Sequence, residues 1–363
     1  MSVIIFIIIL AVLILVHEFG HFFTAKKFGV RVDEFGLGFP PRMFGKKIGE
    51  TIYSINWIPF GGFVKIFGEN PDEESIGGPD SGRSFVKIAK WKQIIVLASG
   101  VLMNVVFAWL LFSIAYMSGM TTIISPANSE YATDSHVIIL GIAPNSPALD
   151  GGLMAGDRIL GISGGVATTT IADVATVQTL IKDSNGKPVV FTVRRDLDEK
   201  VISVVPEMSE MDNKFVVGIS MDLAGKVQLP VHKAVWESAK LTGYTFVGIA
   251  KGIYNLIHDA VLGEADLSQV SGPVGIARLV GDAQKLGFIY LLSFSAFISL
   301  NLAVLNLIPF PALDGGRILF VIIEAIKRSP IRPVVANTMN AIGFGLLILL
   351  MLFITYRDIV KLF

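Results

Sequence analysis

The stretch LILVHEFGHFF, residues 13–23, places two histidines and a glutamate inside an apolar run that extends from residue 3 to about residue 25. A run of this length can cross the hydrocarbon core of a bilayer as a helix. Ionisable side chains at that depth are energetically expensive and are functional candidates by default. No basic region precedes the run and no small-residue cleavage site follows it, so we interpret it as a retained span rather than a signal peptide. The stretch predicts a membrane helix that contains functional polar residues.

The composition indicates a membrane protein. Of the 363 residues, 52% are hydrophobic, and the mean hydropathy is +0.65. Lys plus Arg equals Asp plus Glu at 30 each, so no net positive charge suggests a nucleic-acid partner. The chain has no cysteine, which excludes disulfides, thiolate zinc ligands and cysteine nucleophiles. A transition metal would therefore have to be held by His, Asp or Glu.

Four apolar stretches are long enough to span a membrane, at residues 3–25, 94–117, 288–308 and 334–355. The segment 26–92 carries eleven Lys and Arg residues, whereas the segment 120–140 carries none. Because basic loops stay in the cytoplasm, this asymmetry predicts that the segment 120–287 lies on the other side of the membrane.

The predicted fold is a multi-pass α-helical membrane protein with four transmembrane helices, a β-hairpin and one inserted α+β domain. Its parts are an N-terminal membrane part (1–119), which contains the hairpin at about 51–68, an extracytoplasmic domain (120–230), an interfacial amphipathic helix and linker (231–287) and a C-terminal membrane part (288–363). The hairpin is expected to turn around Pro59, Gly61 and Gly62. Residues 271–279, SGPVGIARL, are expected to break the chain before the third span.

The inserted domain is predicted from HVIILGIAPNSPALDGGLMAGDRILGISG, residues 136–164, which resembles the middle of a PDZ domain. A helix at 171–182 and strands at 188–195 and 200–205 are expected to complete it. PDZ domains bind extended peptides by adding a strand to a sheet edge. The alternative is another small αβ module.

His17, Glu18 and His21 match the pattern H-E-x-x-H. On a helix, residues four apart share a face, so both imidazoles can bind one metal ion while Glu18 serves as general base. The alternative is a histidine pair that packs against neighbouring helices. The location in a membrane span favours the metal site.

A catalytic zinc usually has three protein ligands, so one more is needed. Asp314 is the candidate, because it follows Pro309 and Pro311 at the broken end of the third span. Non-helical backbone at membrane depth is tolerated where it lines a cavity or packs within protein. The alternative is that Asp314 caps a short helix that starts near Gly315.

Five motifs in order along the chain, HEFGH, FGLGF, GGFVK, SGPVGIA and NLIPFPALDGG, resemble the site-2 protease family of intramembrane zinc metalloproteases. Within that family the chain is similar to the bacterial RseP-like enzymes of regulated intramembrane proteolysis, here with a single PDZ-like domain and with Pro40 where a glycine is common. The resemblance implies a bacterial inner membrane location, with the active site towards the cytoplasm. It also implies cleavage of single-span membrane proteins that another protease has already shortened, such as anti-sigma factors or remnant signal peptides.

The resemblance also implies roles for individual residues. By position, one Zn²⁺ ion would be bound by His17, His21 and Asp314, with Glu18 as the catalytic base. The substrate would contact Asn301 and Asn306 and the membrane-associated β-hairpin around Gly61 and Gly62. The two asparagines could equally be hydrogen-bonding glue between helices. The oxyanion donor is left unassigned.

Two other classes of protein are alternatives. A non-catalytic membrane scaffold that works through its PDZ-like domain would be expected to lose the acid/base position, yet Glu18 is present. A transporter with an intramembrane proton or metal relay would be expected to show inverted repeats or paired broken helices, and neither is visible in the sequence.

Overall fold

The computed structural model describes residues 2–70, 72–126, 128–163, 169–170, 173–195, 198–209, 214–264 and 270–360. The elements in chain order are α1 (Ser2–Lys27), β1 (Val32–Ile48), β2 (Thr51–Ile66), α2 (Glu73–Gly77), α3 (Lys90–Ser118), β3 (Met120–Ile123), β4 (Ala132–Ile142), α4 (Pro147–Asp150), β5 (Arg158–Ser163), β6 (Thr169–Thr170), α5 (Val174–Asp183), β7 (Val189–Arg195), β8 (Asp198–Val204), β9 (Glu207–Ser209), β10 (Lys214–Val216), β11 (Ile219–Val227), α6 (Val231–Leu262), α7 (Pro273–Leu286), α8 (Phe288–Leu307), α9 (Asp314–Lys327) and α10 (Pro333–Val360). They form two compact units, one from the chain up to Ala115 together with the chain from His232, and the other from Tyr116–Val231.

Four helices of the described chain, α1, α3, α8 and α10, are long and apolar enough to cross a membrane. They coincide with the four predicted spans. Helix α1 packs closely on α3 because residue 20 is glycine: a Cβ there would lie 2.3 Å from the carbonyl oxygen of Ser99. Helix α6 also packs on α3, where the hydroxyls of Ser113 and Ser238 are 2.6 Å apart.

The two strands of the first unit correct the predicted hairpin at 51–68. Residues 51–66 form one strand, β2, whose antiparallel partner is the upstream strand β1. The connecting turn is at Gly49, where a φ of +64° favours glycine. The prediction paired the two halves of β2 with each other.

The physical reason is that residues 34–37 of β1 lie between those two halves. They pair with residues 62–65 on one side and with residues 52–55 on the other. Gly36 makes this possible, because a Cβ there would lie 2.6 Å from the ring of Phe63 and 2.9 Å from Ser54 Oγ. The segment 62–66 is therefore a sheet edge, with no second strand partner among the described residues.

The segment SGPVGIARL corrects a second prediction, because it begins helix α7 instead of breaking the chain. Gly272 is the N-cap and has no side chain to satisfy the first N–H groups, and Pro273 is the first helical residue. A carboxylate from elsewhere takes that role: the N–H of Gly275 donates to Asp358 Oδ2 of α10 at 2.7 Å. Gly272 and Gly275 leave the space that this buried carboxylate occupies.

The second unit contains a sheet with the order β3-β11-β4-β5-β7-β8, with β6 paired to β5. Its core is aliphatic and aromatic, with Val137, Ile139, Ile159 and Phe191 among the buried side chains. Helix α5 and strands β7 and β8 occur close to their predicted positions, and residues 171–172 of the predicted helix lie outside the described residues. The assignment of this unit as PDZ-like stays a prediction.

Candidate metal centre

Two buried histidines on one face of α1 begin the site. His17 and His21 are four residues apart, so their side chains lie one above the other on the helix. Their Nε2 atoms are 3.2 Å apart and their ring planes are nearly perpendicular, at 80°. The predicted shared face of the H-E-x-x-H motif is present.

Asp314 joins the histidines from a distant part of the sequence. Its Oδ2 lies 3.0 Å from His17 Nε2 and 3.3 Å from His21 Nε2. Asp314 is the first residue of α9, whose N-cap residue is Leu313, and no side chain caps that helix end. The alternative in which Asp314 serves as a cap is therefore not what the structure shows.

Two glycines after Asp314 hold it in this place. The backbone of residues 307–310 passes directly against the start of α9. A Cβ at Gly315 would lie 2.3 Å from the carbonyl oxygen of Ile308, and a Cβ at Gly316 would lie 2.2 Å from that of Phe310. A larger side chain at either position would force the start of α9, which carries Asp314, away from residues 307–310.

The three side chains fit a zinc ion. A tetrahedral ion with ligand bonds of about 2.0–2.1 Å separates its ligand atoms by about 3.3 Å. The three distances between the Nε2 and Oδ2 atoms here are 3.0, 3.2 and 3.3 Å. Oδ2 of Asp314 is buried and has no hydrogen-bond partner among the described residues, which is expensive for a carboxylate oxygen unless a cation neutralises it. His17, His21 and Asp314 could therefore hold a metal ion.

The other ring nitrogen of each histidine faces a polar group on α3. His21 Nδ1 lies 2.9 Å from the carbonyl oxygen of Val96, an acceptor that fixes the Nδ1–H tautomer and leaves the Nε2 lone pair for a metal. His17 Nδ1 lies 3.3 Å from Nδ2 of Asn104, whose Oδ1 is buried without a partner among the described residues. Turning this amide over would exchange Nδ2 and Oδ1, and Oδ1 would then accept from Nδ1–H of His17 and leave its Nε2 for a metal.

Gly100, also on α3, supplies the space for the histidine rings. A Cβ at this position would lie 2.3 Å from His21 Nε2 and 2.8 Å from His17 Cε1. The chain can bring the two imidazoles together only because residue 100 lacks a side chain.

The histidines and Asp314 line a cavity of about 420 Å³. Glu18 and Asn306 line it too, as does the strand edge through Gly62. A Cβ at Gly62 would lie 3.5 Å from Glu18 Cγ, so the edge runs close to the candidate base.

The structure does not bring every predicted site residue to this cavity. Asn301 lies outside the lining and its Nδ2 donates to the carbonyl oxygen of Phe297 in its own helix at 2.9 Å. Gly61 is also outside the lining and faces the ring of Phe39 with a φ of +113°.

Four residues of the site were missed by sequence reasoning: Glu69, Gly100, Asn104 and Arg317. Asn104 offered a usable signal, because it is a strongly polar residue in the middle of an apolar span. The other three offered none, since glycines are common in membrane helices and the two charged residues lie in polar segments.

Comparison with known proteins identifies relatives of this chain. The model of peptidase family M50 matches residues 5–350. A Clostridium perfringens protein with the provisional name zinc metalloprotease is 37% identical over 364 residues, covering 99% of each chain. The regulator of sigma-W protease RasP of Bacillus subtilis is 30% identical over 439 residues, covering 100% of this chain and 99% of that protein. The zinc metalloprotease RasP of Geobacillus kaustophilus is 30% identical over 439 residues, covering 100% of this chain and 98% of that protein.

These names and the donor set at the cavity agree on the cofactor, which is Zn²⁺. The match extends over nearly the whole chain rather than over the zinc motif alone. The chain therefore belongs to peptidase family M50, the site-2 protease family.

Proposed function

We propose that the protein is an intramembrane endoprotease that hydrolyses a peptide bond within or near a transmembrane segment of its substrate. The observation that carries this proposal is the position of the candidate zinc ligands. Two of them lie on α1, a helix apolar enough to span a membrane, and the third closes a cavity against it. His17, His21 and Asp314 would hold the ion, and Glu18 would be the base.

When bound, zinc supplies polarisation of a peptide carbonyl and acidification of water. Glu18 takes one proton from the attacking water at its carboxylate as the new carbon–oxygen bond forms. It then delivers that proton to the leaving nitrogen as the carbon–nitrogen bond breaks. Water and peptide are consumed, a carboxylic acid and an amine are released, and Glu18 returns to its starting state.

The substrate would enter as an extended strand along residues 62–66. A helical segment hides its carbonyl groups in its own hydrogen bonds, so it has to unwind before cleavage. The free N–H and C=O groups of a sheet edge can pair with the unwound backbone. Gly62, Phe63, Val64 and Ile66 all line the cavity, so a strand added here would pass the candidate base.

Asn306 is suited to satisfy further backbone groups of the unwound substrate, since its amide lines the cavity and both donates and accepts. We keep the same role for Asn301 as a prediction, although its amide bonds to its own helix. Single alanine variants of the two asparagines test this, because a substrate contact raises KM and an intrahelical bond does not.

The remaining proposals concern location and partners. We place the chain in a bacterial inner membrane, with the zinc site towards the cytoplasm and residues 120–230 on the other side as a PDZ-like domain. Residues 231–287 would lie at the interface. The substrates would be single-span membrane proteins shortened beforehand by another protease, such as anti-sigma factors or remnant signal peptides.

The test is cleavage of a tagged single-span substrate by purified protein in liposomes, with bound metal measured in each variant. We expect the unaltered protein to cut and to contain one zinc per chain. Glu18→Gln should keep the metal and lose cleavage, while Asp314→Asn should lose both. If the unaltered protein contains no metal and does not cut, the site is structural and the scaffold interpretation replaces this one. If the unaltered protein cuts and Glu18→Gln cuts equally well, Glu18 is not the base.

A further inference from the structure

We propose that Arg317 donates hydrogen bonds to the carbonyl oxygen of the peptide bond being cut, and so stabilises the negative charge that develops there. This inference rests on the proposed protease function. It assigns the oxyanion donor, which the sequence left without a candidate.

The position of Arg317 follows from that of Asp314. Both residues are in the first turn of α9, three positions apart, so their side chains lie on the same face of the helix. Both line the cavity of about 420 Å³ that also contains Glu18. Arg317 therefore lines the same chamber as the candidate base and the candidate zinc ligands.

Arg317 is the only Arg or Lys among the described residues that line this cavity. The other side-chain N–H donors of the lining, apart from the two histidines, are the amides of Asn104 and Asn306. Both amides are uncharged, so neither donates a charge-assisted hydrogen bond. A cation is therefore the strongest donor that the cavity can offer to a developing negative charge.

The guanidinium has more N–H donors than its ion pair with Glu69 uses. It carries five N–H groups, and Nη1 donates to Glu69 Oε1. Glu69 follows strand β2, so this ion pair anchors Arg317 beside the strand edge where the substrate is proposed to lie. The side chain of Arg317 is 34% exposed, whereas that of Glu69 is 16% exposed. The pairing fixes the guanidinium without enclosing it.

The chemistry of hydrolysis requires such a donor. As water adds to the carbonyl carbon, the carbonyl electron pair moves to oxygen, and it returns when the carbon–nitrogen bond breaks. A donor that is held in place before the reaction stabilises this charge without reorganisation. Removing one such donor costs about 10²- to 10³-fold in kcat.

The competing explanation is structural: the ion pair could do no more than tie the end of β2 to α9. The two explanations differ in what the two partners do. A structural tie is broken equally by removing either charge, whereas a substrate donor is lost only when Arg317 is changed.

The experiment compares Arg317→Gln, Arg317→Lys and Glu69→Gln in the zinc-loaded full chain, using the tagged single-span substrate in liposomes. Zinc content and the thermal unfolding midpoint are measured for each variant. We expect all three to keep one zinc per chain and a nearly unchanged midpoint. Arg317→Gln should lower kcat about 10²- to 10³-fold with little change in KM, and Glu69→Gln less than about 10-fold. Arg317→Lys should fall between them, because it keeps the charge without the fork of donors.

Chemical rescue provides a second measurement. Arg317 also lines a neighbouring cavity of about 100 Å³, so Arg317→Ala leaves space at the boundary of two chambers. Guanidinium ions, well below denaturing concentration, should restore part of the cleavage by Arg317→Ala, whereas ammonium at equal ionic strength should not. Guanidinium should give no gain with Glu18→Gln.

Equal losses in Arg317→Gln and Glu69→Gln, with matching falls in the unfolding midpoint, would overturn this assignment in favour of the structural tie. Full activity of Arg317→Gln would overturn it too. In both cases the unaltered protein still cuts and Glu18→Gln does not, so the proposed protease function is left standing. If the unaltered protein does not cut, the proposed function itself fails.

Discussion

Substituting Gly100 by alanine should weaken zinc binding without destabilising α3, the helix that contains Gly100. The added Cβ would lie 2.3 Å from His21 Nε2, whereas comfortable contacts between heavy atoms begin at about 3.5 Å. The ring, the backbone or both must therefore give way by about 1.2 Å. Zinc ligands tolerate displacements of only about 0.2 Å.

The expected magnitudes follow from that mismatch. Zinc affinity should fall by at least about 10- to 100-fold, the loss typical of removing an outer partner of a ligand. Cleavage at saturating zinc should fall by about 10²-fold, because a misplacement of about 1 Å has that effect on a reacting group. Helix α3 itself should gain, since alanine is about 1 kcal/mol more favourable than glycine in a helix interior.

The assay is competition for zinc between the purified protein and a chromogenic chelator, combined with thermal unfolding of the metal-free protein. Gly345→Ala on α10 is the matched control, because a Cβ there meets no heavy atom within 4 Å. The control should keep full zinc affinity. If Gly100→Ala binds zinc as tightly as the control does, the close packing of α3 on the histidines does not determine the zinc affinity, which contradicts this prediction.

Two further predictions concern the metal and the pH. Asn104→Leu should weaken zinc binding about 10- to 100-fold in the same chelator assay, because His17 loses its polar partner at Nδ1; an unchanged zinc affinity would show that Asn104 does not support the ligand. Hydrogen bonds from Arg83 and Lys26 lower the pKa of Glu50 to about 2 from its usual 4.5, so this carboxylate stabilises the fold above pH 4.5 and ceases to do so as the pH falls towards 2. Glu50→Gln should therefore lower the unfolding midpoint at pH 6 by the equivalent of about 0.5–1 kcal/mol and have no effect near pH 2; equal effects at both pH values would contradict this.

The parts of the fold that the sequence predicted depend on local periodicity. Four apolar runs and an H-E-x-x-H spacing are properties of neighbouring residues, so the spans and the shared face of His17 and His21 could be read directly. Asp314 could be proposed because a carboxylate after a proline-broken helix end is unusual in an apolar region.

The predictions that were wrong concern contacts between segments that are distant in sequence. The hairpin was assigned to the wrong strands because both halves of β2 have strand-like composition, and nothing local shows that residues 34–37 lie between them. Helix α7 was missed because its first residues are helix breakers by composition. Its start is stabilised by a carboxylate 83 residues away, which no local pattern reveals.

That distant carboxylate has a consequence for how the protein is made. A ribosome completes the residues of α7 before it adds Asp358, since the two are far apart in sequence. During that interval the N–H of Gly275 lacks its carboxylate partner, and an isolated helix of 14 residues is marginal in water. The N-terminus of α7 is therefore fully hydrogen-bonded only after α10, the last of the described helices to be synthesised, has packed against it.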